Sequence, residues 1–195
     1  MKKLYVYFLA AALGISSLQA RGQTQQKESK EGVSNEQQLA EQFGTDQLVD
    51  LPVNSVNRAV LTQVGNGNGS SIDQRTFGGA GNRVAILQSG NANTANTSQT
   101  GAGNVTTVKQ MGNRNTVDSD IDGFNTESAI IQDGNNNRVN QGLSVDDRRY
   151  KVEQKGNNNQ LNQQESGIAA PPGYEVYMQG NGIRMTIEQG IKIKP

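Results

Sequence analysis

The 195-residue chain has no cysteine, no histidine and no tryptophan. Without cysteine, no disulfide can staple it. Without cysteine and histidine, the usual zinc sites, Ser-His triads and thiol nucleophiles are excluded. Hydrophobic residues make up 33% and aromatics 5% of the chain, too little apolar surface for an ordinary globular core. The formal net charge is +0. That balance leaves no electrostatic footprint for nucleic acid and lets identical chains approach one another. Glycine, with 23 residues, fills the gap together with Asn and Gln. Such a composition is either disordered or cross-β.

A fixed period decides between the two. Gln88, Gln99, Gln110, Gln132 and Gln154 lie on one 11-residue grid, whose positions 121 and 143 hold Ile121 and Leu143. Asn93, Asn104, Asn115, Asn137 and Asn159 form a second grid, each six residues before the next position of the first. Disorder does not require such spacing. A period this short has room for one strand and one turn, not for a helix pair or a propeller blade.

The chain divides into three. Residues 1–20 carry a basic start (Lys2, Lys3), a short apolar run and small residues before Ala20, which reads as a secretory signal peptide. The run is too short to span a bilayer comfortably, so the expectation is an exported chain without stable membrane insertion. Its removal leaves 16 basic against 18 acidic residues. Residues 21–53 are a polar leader off the grid, with a short helical possibility from a cap at Ser34 into Leu39, Ala40 and Phe43. Residues 54–195 are the repeat region.

Twelve strand segments are predicted there, at 57–63, 68–74, 82–88, 93–99, 104–110, 115–121, 126–132, 137–143, 148–154, 159–165, 174–179 and 183–189. They pair into six strand-turn-strand repeats. Within five of them the connection fits Gln-x-Gly-x-x-Asn, at 63–68, 88–93, 110–115, 132–137 and 154–159. The sixth, 179–183, reads as one residue shorter. Gly and Asn accept the left-handed conformations that a tight reversal needs. Connections between repeats vary in length, which defines the unit.

Side chains alternate along a strand. The inward face then carries Asn, two small or aliphatic residues and Gln, while Arg58, Arg83, Lys109, Glu127 and Arg138 point outward. Stacked repeats place Gln63, Gln88, Gln110, Gln132, Gln154 and Gln179 in one column. Asn68, Asn93, Asn115, Asn137 and Asn159 form another, and Gln74, Gln99 and Gln189 belong to the second-strand column. An amide has donors and acceptors. Identical amides about 4.8 Å apart can therefore bond along a column, so an inward polar residue is satisfied. Val84, Ile86, Val108, Ile130, Val152 and Leu161 supply a thin apolar filling. The predicted fold is all-β, a β-solenoid of about six repeats forming two stacked parallel sheets. With no convincing cap at either end, its edge strands are templates for another chain.

This repeat resembles that of the curlins, the secreted subunits of the curli functional amyloid of bacterial biofilms. Residues 57–110 match closely, and the likeness continues in weaker form to 189. The signal and leader fit the same layout. The resemblance implies a subunit passed through outer-membrane secretion machinery to a surface fibre. There it polymerises with itself and with other curlin subunits, supporting adhesion and biofilm matrix. Ile121, Leu143 and Glu165 depart from Gln in the second-strand column, and Arg148 stands in place of Asn. The irregular last repeat, with Arg184, Lys192 and Lys194, is closer to a nucleating subunit than to a major one.

Sharper chemistries fare less well. Asp118, Asp120 and Asp122 before Gly123 look like the start of a calcium loop, read as crossing a strand and its turn, but the twelfth position is Ala129 instead of Glu. Asp146, Asp147, Arg148 and Arg149 suggest a polysaccharide-cleaving cluster, yet an 11-residue arc offers no cleft. The outward residues form no lattice for ice. The expectation is therefore no enzyme, no cofactor and no metal, with a non-polymerising secreted β-solenoid adhesin as the alternative.

Overall fold

The computed structural model describes residues 56–167 and 173–190, and the backbone of residues 5–8. Twelve strands follow one another in the repeat region. Rung one is β2 (Arg58–Val64) and β3 (Gly69–Thr76), and rung two is β4 (Arg83–Ser89) and β5 (Thr94–Ala102). Rung three is β6 (Val105–Met111) and β7 (Thr116–Phe124), and rung four is β8 (Glu127–Asp133) and β9 (Arg138–Ser144). Rung five is β10 (Arg149–Lys155) and β11 (Gln160–Ser166), and rung six is β12 (Glu175–Gln179) and β13 (Arg184–Gly190). Each strand begins one residue later than the period suggests, because the Asn that opens the repeat is the last residue of the turn.

The first strands stack into one sheet, in the order β2-β4-β6-β8-β10-β12, and the second strands into another, β3-β5-β7-β9-β11-β13. Every pairing is parallel. This is the two-sheet β-solenoid expected. A further short strand, β1 (Tyr5–Phe8), pairs in parallel with β2 at the end of the first sheet. It lies inside the segment read as an export signal, so cleavage after Ala20 would remove it and open rung one. The leader, with its helical possibility at Ser34, and Ile191 to Lys194 lie outside the described residues.

The inner faces form the core. Val84, Ile86, Ala95, Val108, Val117, Ile130, Val139, Val152 and Leu161 are buried in a single run from rung two to rung five. Ile121, Leu143, Val145 and Tyr150 make a second, smaller cluster towards the inter-repeat turns. The outer faces differ in kind. That of the first sheet carries Val60, Val64, Ala85, Leu87, Met111, Ala129 and Ile131, whereas that of the second carries Ser71, Asp73, Asn96, Ser98, Asp118, Asp120 and Asn140.

Two expectations need correction. Met178, not Gln179, is in register with Gln154; Gln179 is exposed on the outer face opposite Lys155. Alternation explains it, because Val176 and Met178 turn inward while the polar Glu175, Tyr177 and Gln179 turn outward. The sixth turn therefore runs from Met178 through Gly180 to Ile183 at full length, with Met in the place of Gln and Ile in the place of Asn. Nor does the aspartate run cross a turn. Asp118, Asp120 and Asp122 all lie within β7 and project from one face of that strand, so they do not wrap around a common centre.

Candidate functional site: the amide columns

The first Gln column is continuous. Gln63 Nε2 donates to Gln88 Oε1 at 2.6 Å, Gln88 to Gln110 at 2.8 Å, Gln110 to Gln132 at 2.9 Å and Gln132 to Gln154 at 2.9 Å. Gln154 ends the run on Met178 Sδ at 3.4 Å. The middle rungs repeat every 22 residues. The first step takes 25 and the last 24, the difference being absorbed in the connections between repeats. Gln88, Gln110, Gln132 and Gln154 are fully buried.

Each of these amides has a second task that the period alone does not reveal. Gln88 Nε2 also donates to the Gly69 carbonyl, Gln110 to Thr94, Gln132 to Thr116 and Gln154 to Arg138, at 2.9–3.1 Å. The acceptors belong to the facing sheet. One NH2 group thus links its own rung to the next and ties the two sheets together. That use of both protons makes a buried primary amide affordable in a thin core.

The Asn column works differently from a simple amide ladder. Asn68 Oδ1 accepts from the backbone N–H of Asn93 at 2.9 Å, and the pattern repeats from Asn93 to Asn115, Asn137 and Asn159, ending on the Ile183 N–H. Each Nδ2 donates to the carbonyl of the glycine in the next rung's turn, as Asn93 does to Gly112 at 2.8 Å. The side chain therefore serves backbone groups left over by the turn, which are costly when buried and unmet. Asn57, Asn82 and Asn104 repeat the device at the inter-repeat turns, and Thr126 continues the column. A third column, Asn91, Asn113, Asn135, Asn157 and Asn181, links the turn tips. The signal for both was present in the period, in Asn104 and in the residue after each turn glycine.

The second-strand column starts as expected and then changes chemistry. Gln74 Nε2 donates to Gln99 Oε1 at 2.9 Å, while Gln99 turns to the Arg83 carbonyl and to Thr106 Oγ1. Its next partners in register are Ile121, Leu143, Glu165 and Gln189. A replacement ladder runs one inward position away, from Ser119 Oγ to Gln141 Oε1 and from Gln141 Nε2 to Gln163 Oε1 at 2.9 Å. Glu165 is buried but not stranded, because the Tyr150 hydroxyl donates to its Oε2 at 2.6 Å. Gln163 donates to the Tyr174 hydroxyl, and the two tyrosine rings meet edge to face at 5.3 Å. Burial, followed by the Glu165 carboxylate, pushes both phenols above their ordinary pKa. An inward carboxylate would be costly if unpaired, and here it has the Tyr150 hydroxyl.

The columns stop at open ends. Gln74 Oε1 in rung one and Gln189 Oε1 in rung six are buried atoms without a hydrogen-bond partner. Among the described residues, no strand lies beyond β12 or β13. Among the described residues, no group of three or more His, Cys, Asp or Glu could hold a metal. Comparison with protein-family models, with characterised proteins and with solved structures found no match. The residues themselves therefore carry the functional argument: a β-solenoid of the general kind to which curli-like proteins belong, with hydrogen-bonding columns running from end to end.

Proposed function

We propose that the chain is a structural, non-catalytic subunit of a secreted fibre of the curli kind. It stacks end to end on copies of itself and on related subunits, with no cofactor, and supports surface adhesion and biofilm matrix. The observation that carries this reading is the pair of unfinished end rungs. Gln88, Gln110, Gln132 and Gln154 each donate towards rung six and accept from the rung before. A copy placed beyond rung six would set its Gln74 Oε1, now without a partner, below the amide of Gln189. An unsatisfied buried acceptor costs about 1–3 kcal/mol, and stacking removes that cost together with the open strand edge. Export across the outer membrane rests on residues 1–20 and on the curlin resemblance.

A nucleating role finds support in rung six. Met178 and Ile183 stand where the columns have Gln and Asn, so the match to a following rung one is incomplete there. A subunit that starts fibres tolerates one imperfect end better than one that repeats along them.

The test is thioflavin fluorescence of the purified mature chain at micromolar concentration, followed by negative-stain microscopy. A lag, a sigmoidal rise and unbranched fibres are expected. A chain that stays monomeric overturns this reading in favour of a non-polymerising adhesin.

A further inference from the structure

The dipeptide Asn-Gly occurs at 66–67, 68–69 and 181–182, all in the turns of the two end rungs. In rungs two to five the tip Asn is followed instead by Ala92, Arg114, Asn136 or Asn158. Asn-Gly is a reactive pair. The glycine nitrogen, having lost its proton to base, attacks the asparagine Cγ; the N–Cγ bond forms, the Cγ–Nδ2 bond breaks and ammonia leaves. Water then opens the succinimide to aspartate or isoaspartate. Glycine favours the attack because no Cβ hinders the approach. Hydrogen bonds on the glycine N–H and on the carboxamide oppose it, since they must open first.

The direction of the columns makes the three pairs unequal. The Asn68 carboxamide donates to the Val64 and Gly90 carbonyls and accepts from the Asn93 N–H, while the Gly69 N–H donates to the Asn93 carbonyl at 2.8 Å. Asn181 Oδ1 accepts from the N–H and Nδ2 of Asn157, and the Gly182 N–H donates to the Asn157 carbonyl at 2.8 Å. Both pairs are held. Asn66 uses only its backbone, donating to Asn91 Oδ1 and accepting from the Ala92 N–H. Among the described residues, its carboxamide and the Gly67 N–H have no hydrogen-bond partner, and both residues are exposed. In later rungs the preceding turn meets these groups; among the described residues no turn precedes that of rung one. The rung six of a preceding copy would supply it, with the Asn181 N–H on Asn66 Oδ1 and the Asn181 carbonyl on the Gly67 N–H.

We propose that Asn66 is a self-modification site, which deamidates while rung one is open and is protected once a copy stacks there. The protection rests on end-to-end stacking; the site itself does not. Isoaspartate adds a backbone atom at the turn tip of the template rung. A subunit left unstacked therefore loses its template with time.

Peptide mapping by mass spectrometry of the mature chain, aged in mildly alkaline buffer, reads all three pairs at once. In dilute monomer, Asn66 should convert at least about tenfold faster than Asn68 or Asn181, and in urea the three rates should converge. Gly67→Ala has room for its Cβ, whose nearest neighbour is 3.9 Å away, and should stop the conversion. Ala92→Gly creates a fourth such pair in a closed rung, and Asn91 should there stay as slow as Asn181. Equal rates in the folded monomer overturn the site, as does a preference for Asn66 that persists in urea or a fast Asn91. In fibres the Asn66 rate should fall to that of Asn181; an unchanged rate overturns the protection. A chain that forms no fibres removes stacking and the protection together, while the monomer rates still decide the site.

Discussion

Gln110 donates to the Gln132 oxygen and to the Thr94 carbonyl, and accepts from Gln88. Gln110→Ala deletes all three bonds inside the buried core and leaves the Gln132 oxygen unmet. The expected loss is about 2–4 kcal/mol, combining the unpaired groups with a cavity. Arg149→Ala removes an ion pair to Glu127 from a side chain that is 81% exposed, and should cost less than about 1 kcal/mol. Urea denaturation of the monomer compares them, and equal losses would contradict the column assignment. At rung five the same scale gives a pH dependence. Tyr150 and Tyr174 have raised pKa values, so the folded state holds their protons more tightly than the unfolded state does. That contribution is complete below the ordinary tyrosine value of about 10 and is lost as pH rises beyond it. The denaturation midpoint should therefore fall more steeply above about pH 10 in the parent chain than in the Tyr150→Phe, Tyr174→Phe variant. Parallel curves would remove the tyrosines from the account.

Turns set the spacing of the strands they join. Gly112 adopts φ +103, and a Cβ there would sit 2.1 Å from the Gly134 carbonyl oxygen of the next rung. The same contact recurs from Gly65 to Gly156, so the rung spacing at this turn is a glycine spacing. Gly112→Ala should cost on the order of 3 kcal/mol or more. Two residues on, Ala92 holds φ 57, where Gly67 and Gly182 hold 65 and 70. Ala92→Gly should stabilise by about 0.5–1 kcal/mol, since the left-handed strain exceeds the entropic cost of glycine. Thermal melts of both variants check the pair, and a stabilising Gly112→Ala would contradict it. The strands, the two sheets and the first Gln column from rung one to rung five were legible because each turn within a repeat keeps the same length and the same Gly. Rung six was misread by one residue because the search followed glutamine, whereas burial follows alternation and places Met178 inward. The clip from each Gln to the facing sheet was not legible, since it depends on the distance between sheets and leaves no mark in the period. Glu165 and Tyr150 lie 15 residues apart, off the repeat, and only the closed rung brings them together.

Across the whole molecule the ends are unlike. Rung one keeps Gln63, Asn68 and Gln74, while in rung six the same columns hold Met178, Ile183 and Gln189. Growth should therefore be polar, with rung one the better template. Deleting residues 57–110 removes the two rungs with complete columns and nearly all of the first strand of rung three, and should abolish fibre formation. Deleting 174–195 should leave β-rich fibres that have lost nucleating activity. Seeding assays on the two truncations decide this, and a chain lacking 57–110 that assembles as fast as the full mature protein would place the assembly core elsewhere. The most direct test of stacking itself is cryo-electron microscopy of the mature chain after overnight incubation. End-to-end stacking predicts fibres with strands perpendicular to the axis and one subunit per six strand spacings, about 29 Å. Persistent monomers, or fibres in which solenoids associate side by side with their end rungs unpaired, would contradict it.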